Sequence, residues 1–157
     1  TTHTSAAGAT ASSTRGIIAG GTTGSDVNTI EYVTIGSTGN TTDFGDLTVA
    51  RSYPQGLASS TRGCFGGGSP GVNTIDYVTI GSTGNATDFG DLTVARQQSY
   101  GGMSNNTRGV FLPGTNPDNV TMDYITIAST GNAIDYGDPA ITGGDITGSS
   151  NGHGGLA

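Results

Sequence analysis

Between Asn73 and Ile80 the side chains alternate in character: Ile75, Tyr77 and Thr79 fall on one side of an extended chain, Asp76, Val78 and Ile80 on the other. A period of two built from β-branched and aromatic residues predicts a strand. Just upstream, Gly63-Cys64-Phe65 runs into Gly66-Gly67-Gly68. This reads as a strand that passes close to other backbones and then turns at Ser69-Pro70-Gly71. Downstream, Ser82-Thr83-Gly84-Asn85 predicts a hairpin-type connection, since Gly and Asn tolerate positive φ. Ala86 to Asp91 continues to a second turn at Gly90-Asp91, and Leu92-Thr93-Val94-Ala95-Arg96 reads as another short strand. No segment keeps the helical period of about 3.6 residues, so essentially no helix is expected.

The same pattern is written three times. Thr14-Arg15-Gly16 recurs as Thr61-Arg62-Gly63 and Thr107-Arg108-Gly109, a spacing of about 47 residues. Ile30-Glu31-Tyr32 returns as Ile75-Asp76-Tyr77 and Met122-Asp123-Tyr124, and Asp43-Phe44-Gly45-Asp46 as Asp88-Phe89-Gly90-Asp91 and Asp135-Tyr136-Gly137-Asp138. The units are 14–60, 61–106 and 107–157, the last with a closing segment; residues 1–13 read as the end of a preceding unit. Such repetition predicts modules that cannot bury an apolar face alone. Residues common to all three units are expected to be scaffold, and special roles to lie where the units differ.

Composition changes this picture in two ways. Leu, Ile, Val and Phe supply 28 of 157 residues, and with a net charge of −7 that composition borders on disorder. The regular alternation argues for folding instead, with a thin core that needs neighbours. The five basic residues are all Arg, and the pI is about 4.2, which speaks against nucleic acid as a partner. No apolar run reaches the ~18 residues of a membrane span, so no membrane insertion is expected. The single cysteine, Cys64, stands where the other units have Ile17 and Val110, and reads as a small core residue.

Several short antiparallel strands recurring every ~40–50 residues are the pattern of a propeller blade. The landmarks resemble the kelch repeat: double Gly at Gly20-Gly21 and Gly67-Gly68; Tyr32, Tyr77 and Tyr124; then Phe44, Phe89 and Tyr136; then a closing Arg51 or Arg96. The third unit departs, with Pro113-Gly114 for the double Gly and Gly143 for the Arg, and no unit has the family's usual Trp. The resemblance implies an all-β, kelch-like β-propeller repeat protein. The wording Thr-Gly-Asn-Ala-Thr-Asp-Phe-Gly-Asp-Leu-Thr-Val-Ala-Arg over 83–96 also resembles repeat proteins of marine bacteriophages, labelled virion or tail-associated. Propellers use about four to eight blades, so three units leave a gap to be filled by upstream repeats or other chains. The absence of Lys, which usually protects strand edges, points to strand-mediated assembly.

Candidate chemistry is sparse. The Asp pairs Asp43/Asp46, Asp88/Asp91 and Asp135/Asp138 put two carboxylates in a Gly-bearing turn, a pattern calcium can use. They lack the spacing of a calcium loop, and Asx turns account for them more simply; no cofactor is expected. Arg15, Arg62 and Arg108 each precede an apolar strand and read as structural links from one repeat to the next through carboxylates. His3 and His153 lie outside the repeats, so no Ser–His–Asp site is expected and the protein reads as no enzyme. Tyr53 and Tyr100 in polar loops, with Gln97, Gln98 and Asn116, are the candidates for surface recognition, stacking on and hydrogen-bonding to a host-surface glycan.

The expectation is a non-enzymatic structural or adhesive component of an extracellular assembly, most readily a phage virion surface or tail-fibre protein. Its partners are copies of itself or other virion or filament subunits. Two alternatives remain: a subunit of a non-viral extracellular filament or surface layer, and a carbohydrate-binding module of a larger secreted protein.

Overall fold

The computed structural model describes residues 7–98, 100–115, 120–140 and 147–148. The strands are β1 (Gly8–Ala11), β2 (Arg15–Ala19), β3 (Thr29–Thr34), β4 (Thr42–Asp46), β5 (Gln55–Ala58), β6 (Arg62–Gly66), β7 (Val72–Thr79), β8 (Thr87–Arg96), β9 (Gly102–Ser104), β10 (Arg108–Phe111), β11 (Met122–Thr126) and β12 (Ile134–Gly137). No helix occurs among the described residues, as the missing helical period predicts. The strands form three four-stranded antiparallel sheets in the orders β1-β2-β3-β4, β5-β6-β7-β8 and β9-β10-β11-β12.

The repeat carries the register with it. Arg15 pairs with Thr34, Arg62 with Thr79 and Arg108 with Thr126. A bulge falls at the same place in each sheet, at Ile30/Glu31, Ile75/Asp76 and Met122/Asp123. Sheets and sequence units are out of phase. Strand β1 lies in the segment 1–13 yet pairs with β2, and β5 and β9, which end the units 14–60 and 61–106, open the second and third sheets. Leu92–Arg96, expected as a separate strand, is instead the second half of β8, because Val72 pairs with Arg96 and holds the extended chain in the same sheet.

The three leading strands converge, β1 on β5 and β5 on β9. They approach so closely that a Cβ on Gly56 would sit 2.1 Å from the Ala9 carbonyl oxygen, which is why this position takes glycine.

Two apolar cores lie between the sheets. Ile17, Ile30, Phe44 and Leu47 of the first sheet and its exit pack against Phe65, Val78 and Ile80 of the second. Ile75, Phe89, Leu92 and Cys64 of the second pack against Phe111, Ile125 and Ile127 of the third. The alternation read along β7 thus serves two interfaces: Ile75 points to one core, Val78 and Ile80 to the other. Cys64 is wholly buried in the second core, as its Ile17 and Val110 counterparts suggest.

Candidate functional site

The repeated polar residues converge on the joints between sheets. Arg51 leaves the first sheet and is fully buried against the second. Its Nη2 donates to Asp76 Oδ2 at 2.8 Å and to the Phe65 carbonyl at 3.0 Å, and its Nη1 donates to the Thr74 carbonyl at 3.2 Å. Thr48 completes the carboxylate, its hydroxyl donating to Asp76 Oδ1 at 2.5 Å and its N–H to Oδ2 at 3.2 Å. The same construction recurs one sheet on. Arg96 pairs with Asp123, Arg96 Nη1 donates to the Leu112 carbonyl at 2.9 Å, and Thr93 donates to Asp123 through both its hydroxyl and its N–H. Burial holds both guanidinium groups below their ordinary pKa, and the facing carboxylate acts in the opposite direction. A desolvated pair of this kind survives because nearly every lone pair and proton has a partner. Arg51 Nε is the buried exception, with no hydrogen-bond partner among the described residues.

Arg15 and Arg62 also cross to the next sheet, but their hydrogen bonds there go to backbone. Arg15 Nη1 donates to the Ile80 carbonyl at 2.9 Å and Arg62 Nη1 to the Ile127 carbonyl at 2.8 Å. Each guanidinium lies over a ring of its own sheet, 4.5 Å from the centre of Tyr32 and 4.2 Å from that of Tyr77. Arg108 stacks on Tyr124 at 4.6 Å in the third sheet and is exposed. The carboxylate pairing expected of these three arginines is made by Arg51 and Arg96.

The Asp-aromatic-Gly-Asp motif forms the outer half of each joint. Gly84 N–H donates to the Phe44 carbonyl at 2.7 Å, Ala86 N–H to the Asp46 carbonyl at 2.8 Å, and Asp46 N–H to Asn85 Oδ1 at 3.1 Å. Gly131, Ala133 and Asn132 make the same three bonds to Phe89 and Asp91, at 2.7, 2.8 and 3.1 Å. The Ser-Thr-Gly-Asn turn of one sheet therefore docks on the edge strand of the sheet before it. Gly45 and Gly90 have φ of 146° and 141°, and a Cβ there would lie 2.4 and 2.5 Å from the facing Gly84 and Gly131 carbonyl oxygens. Asp88 and Asp135 accept from the N–H two residues on, at 3.0 and 2.7 Å, the Asx geometry that the turn reading implies. Among the described residues no three His, Cys, Asp or Glu side chains gather as a metal set would require, and Asp43, Asp46, Asp91 and Asp138 lie along these edges.

The surface-recognition candidates have a more definite arrangement. Tyr53 and Tyr100 meet edge to face, ring centres 5.5 Å apart. They line a cleft of about 510 Å³ where β1, β5 and β9 converge, together with Pro54, Gly8, Gly56 and Gly102. Tyr53 has φ of 57° and its counterpart Gln98 has 42°. A left-handed tyrosine costs about 1–2 kcal/mol and is held by its surroundings. Gln97 Nε2 donates to the Pro70 carbonyl at 2.7 Å, a bond within the second sheet, and the Thr115 hydroxyl donates to Gln98 Oε1 at 3.1 Å, a link to the third sheet. Asn116 lies outside the described residues, as do His3 and His153.

Two joint-forming residues carry no mark in the sequence units. Gln55 is buried and pairs both amide atoms with Leu112, Nε2 to its carbonyl at 2.7 Å and Oε1 from its N–H at 2.9 Å. Ser104 hydroxyl donates to the Ala58 carbonyl at 2.8 Å. Gln55 is betrayed by the burial of its polar side chain, whereas Ser104 is only partly buried and is seen through its bonds to Ala58. No protein-family model matches this chain, and no curated protein matches it.

Proposed function

We propose that this chain is a kelch-like, propeller-type repeat protein serving as a non-enzymatic structural or adhesive component of an extracellular assembly, most readily a phage virion surface or tail fibre. The observation that carries this reading is where the repeated charges go. Arg51, Asp76, Arg96 and Asp123 are fully buried and tie sheet to sheet, out of reach of any substrate. The viral setting comes from the wording of the repeat and its likeness to phage virion proteins. Light scattering with negative-stain electron microscopy of the native particle, with and without EDTA, tests the reading. A discrete oligomer supports it, and open-ended fibres favour a filament or surface-layer subunit. Collapse on chelation would assign calcium to the Asp pairs. A compact monomer at every concentration sinks it.

A second reading, carbohydrate binding, is favoured by the Tyr53–Tyr100 pair beside an open cleft. Aromatic faces pack on the apolar faces of sugar rings, and the strained backbone at Tyr53 fixes one such face in advance. A glycan array separates the two readings. Sugar binding that Tyr53→Ala and Tyr100→Ala each abolish supports a lectin-like role, and binding that ignores both changes removes it.

A further inference from the structure

We infer that the third sheet of one copy receives the first sheet of a second copy, through the same outer joint that holds neighbouring sheets within the chain. This rests on the assembly reading above and names its interface.

Both halves of that joint are present and open. At the receiving end Tyr136 is 51% exposed, whereas its counterparts Phe44 and Phe89 are 2% and 3% exposed under the following sheet. Gly137 has φ of 116° like Gly45 and Gly90, yet among the described residues nothing lies within 4 Å of its Cβ position, where the others face a docked turn. At the donating end, Ile35 is 55% exposed, against 2% for Ile80 and 1% for Ile127. The Ser37-Thr38-Gly39-Asn40 turn is exposed and identical in sequence to the two turns that dock internally. Arg108 supplies a third element: Arg15 and Arg62 reach the carbonyls of Ile80 and Ile127, and by the same step Arg108 reaches that of Ile35 in a second copy.

The occupant is a second copy because its surface is already shown to fit. Two internal joints use the same turn, the same aromatic and the same Arg-to-carbonyl bond. Such an interface is head-to-tail, closing into a ring or running on as a fibre according to the angle per sheet. Gly143 stands in sequence where the first two units have Arg51 and Arg96. The joint between copies therefore lacks the buried ion pair and is weaker than the joints inside a chain, which suits a reversible contact.

Sedimentation velocity across a dilution series tests this, with the full chain as wild type, Ile35→Arg and Tyr136→Asp. Both positions are exposed in the single chain, and far-UV circular dichroism checks that each variant keeps the fold. The wild type is expected to associate, and each variant to bind itself at least about tenfold more weakly. A 1:1 mixture of the variants retains one intact joint and is expected to associate beyond either variant alone. Association that both variants keep, or a mixture no better than its components, overturns this joint while the assembly reading stands. A wild type that never associates overturns both.

Discussion

The middle sheet and the two outer sheets carry nearly the same residues and bury them differently. Phe89 of the middle sheet is covered, while Tyr136 at the same place in the third sheet is exposed; Ile80 is covered, while Ile35 of the first sheet is exposed. The strand order and the Arg–Thr register repeat in all three, with β8 the longer edge strand, and the difference in burial goes with having a neighbour on each face. Burial here belongs to the joint rather than to the sheet. That is why a chain so poor in large apolar residues can fold: the middle sheet supplies half of each of two thin cores, and each outer sheet half of one. The third unit also departs from the other two on the side where no further sheet lies among the described residues, with Tyr136 for Phe and Pro139 for Leu47 and Leu92.

The sharpest way to break this comparison is to truncate the same ring in a closed and an open joint. Phe89→Ala removes a side chain packed in the second core and is expected to cost about 3–5 kcal/mol. Tyr136→Ala removes an exposed ring from the single chain and is expected to cost less than about 1 kcal/mol. Urea unfolding under dilute, monomeric conditions measures both. Equal losses would mean that the edge strand is stabilised from within its own sheet and that the joint contributes little.

The ion pairs sharpen the same point with a smaller effect. Arg51→Met leaves Asp76 buried without its cation and is expected to cost about 3 kcal/mol. Arg51→Met combined with Asp76→Leu removes both charges and is expected to recover to within about 1 kcal/mol of wild type. A double variant as unstable as the single one would mean that the pair supplies net stability rather than alignment of one sheet on the next. Repeating the cycle at Arg96 and Asp123 asks whether the two joints are energetically as alike as they are geometrically.

How much of this was legible in the sequence depends on the range of the interaction. Strands β3, β7 and β11 follow from local alternation, and the turn at Ser82–Asn85 from local Gly and Asn chemistry. The landing of that turn on Phe44 and Asp46 spans 39 to 40 positions and leaves no local trace. Repetition pointed to Arg15, Arg62 and Arg108 because all three units keep them, but the carboxylate partners belong to Arg51 and Arg96, which the third unit does not match. Tyr53 and Tyr100 stood out as aromatics in polar loops. Their pairing depends on the convergence of β5 and β9 and on a left-handed backbone at Tyr53, neither of which composition reveals. Gln55, which does not recur in the other units, is a buried clasp on Leu112.

The smallest expected effect reads the second joint through its one thiol. Burial, opposed by the charge of nearby Arg62, pushes the Cys64 thiol up from 9.0 to about 12. Cys64 therefore stays protonated in the fold at a pH where the unfolded chain releases its proton. Its contribution to stability is whole below pH 9 and is lost progressively as the pH rises towards 12. The expected slope is about 1.4 kcal/mol per pH unit in that window. Tyrosines ionise in the same range, so the measurement is a difference: urea midpoints of wild type and Cys64→Val at about pH 7 and about pH 10. Valine is the residue the third sheet carries at this position, as Val110, and is expected to cost less than about 1.5 kcal/mol at neutral pH. The variant should lose the thiol's share of the alkaline decline. If wild type and variant decline in parallel, the thiol meets water in the folded chain, and the core between the second and third sheets is open where the comparison requires it to be closed.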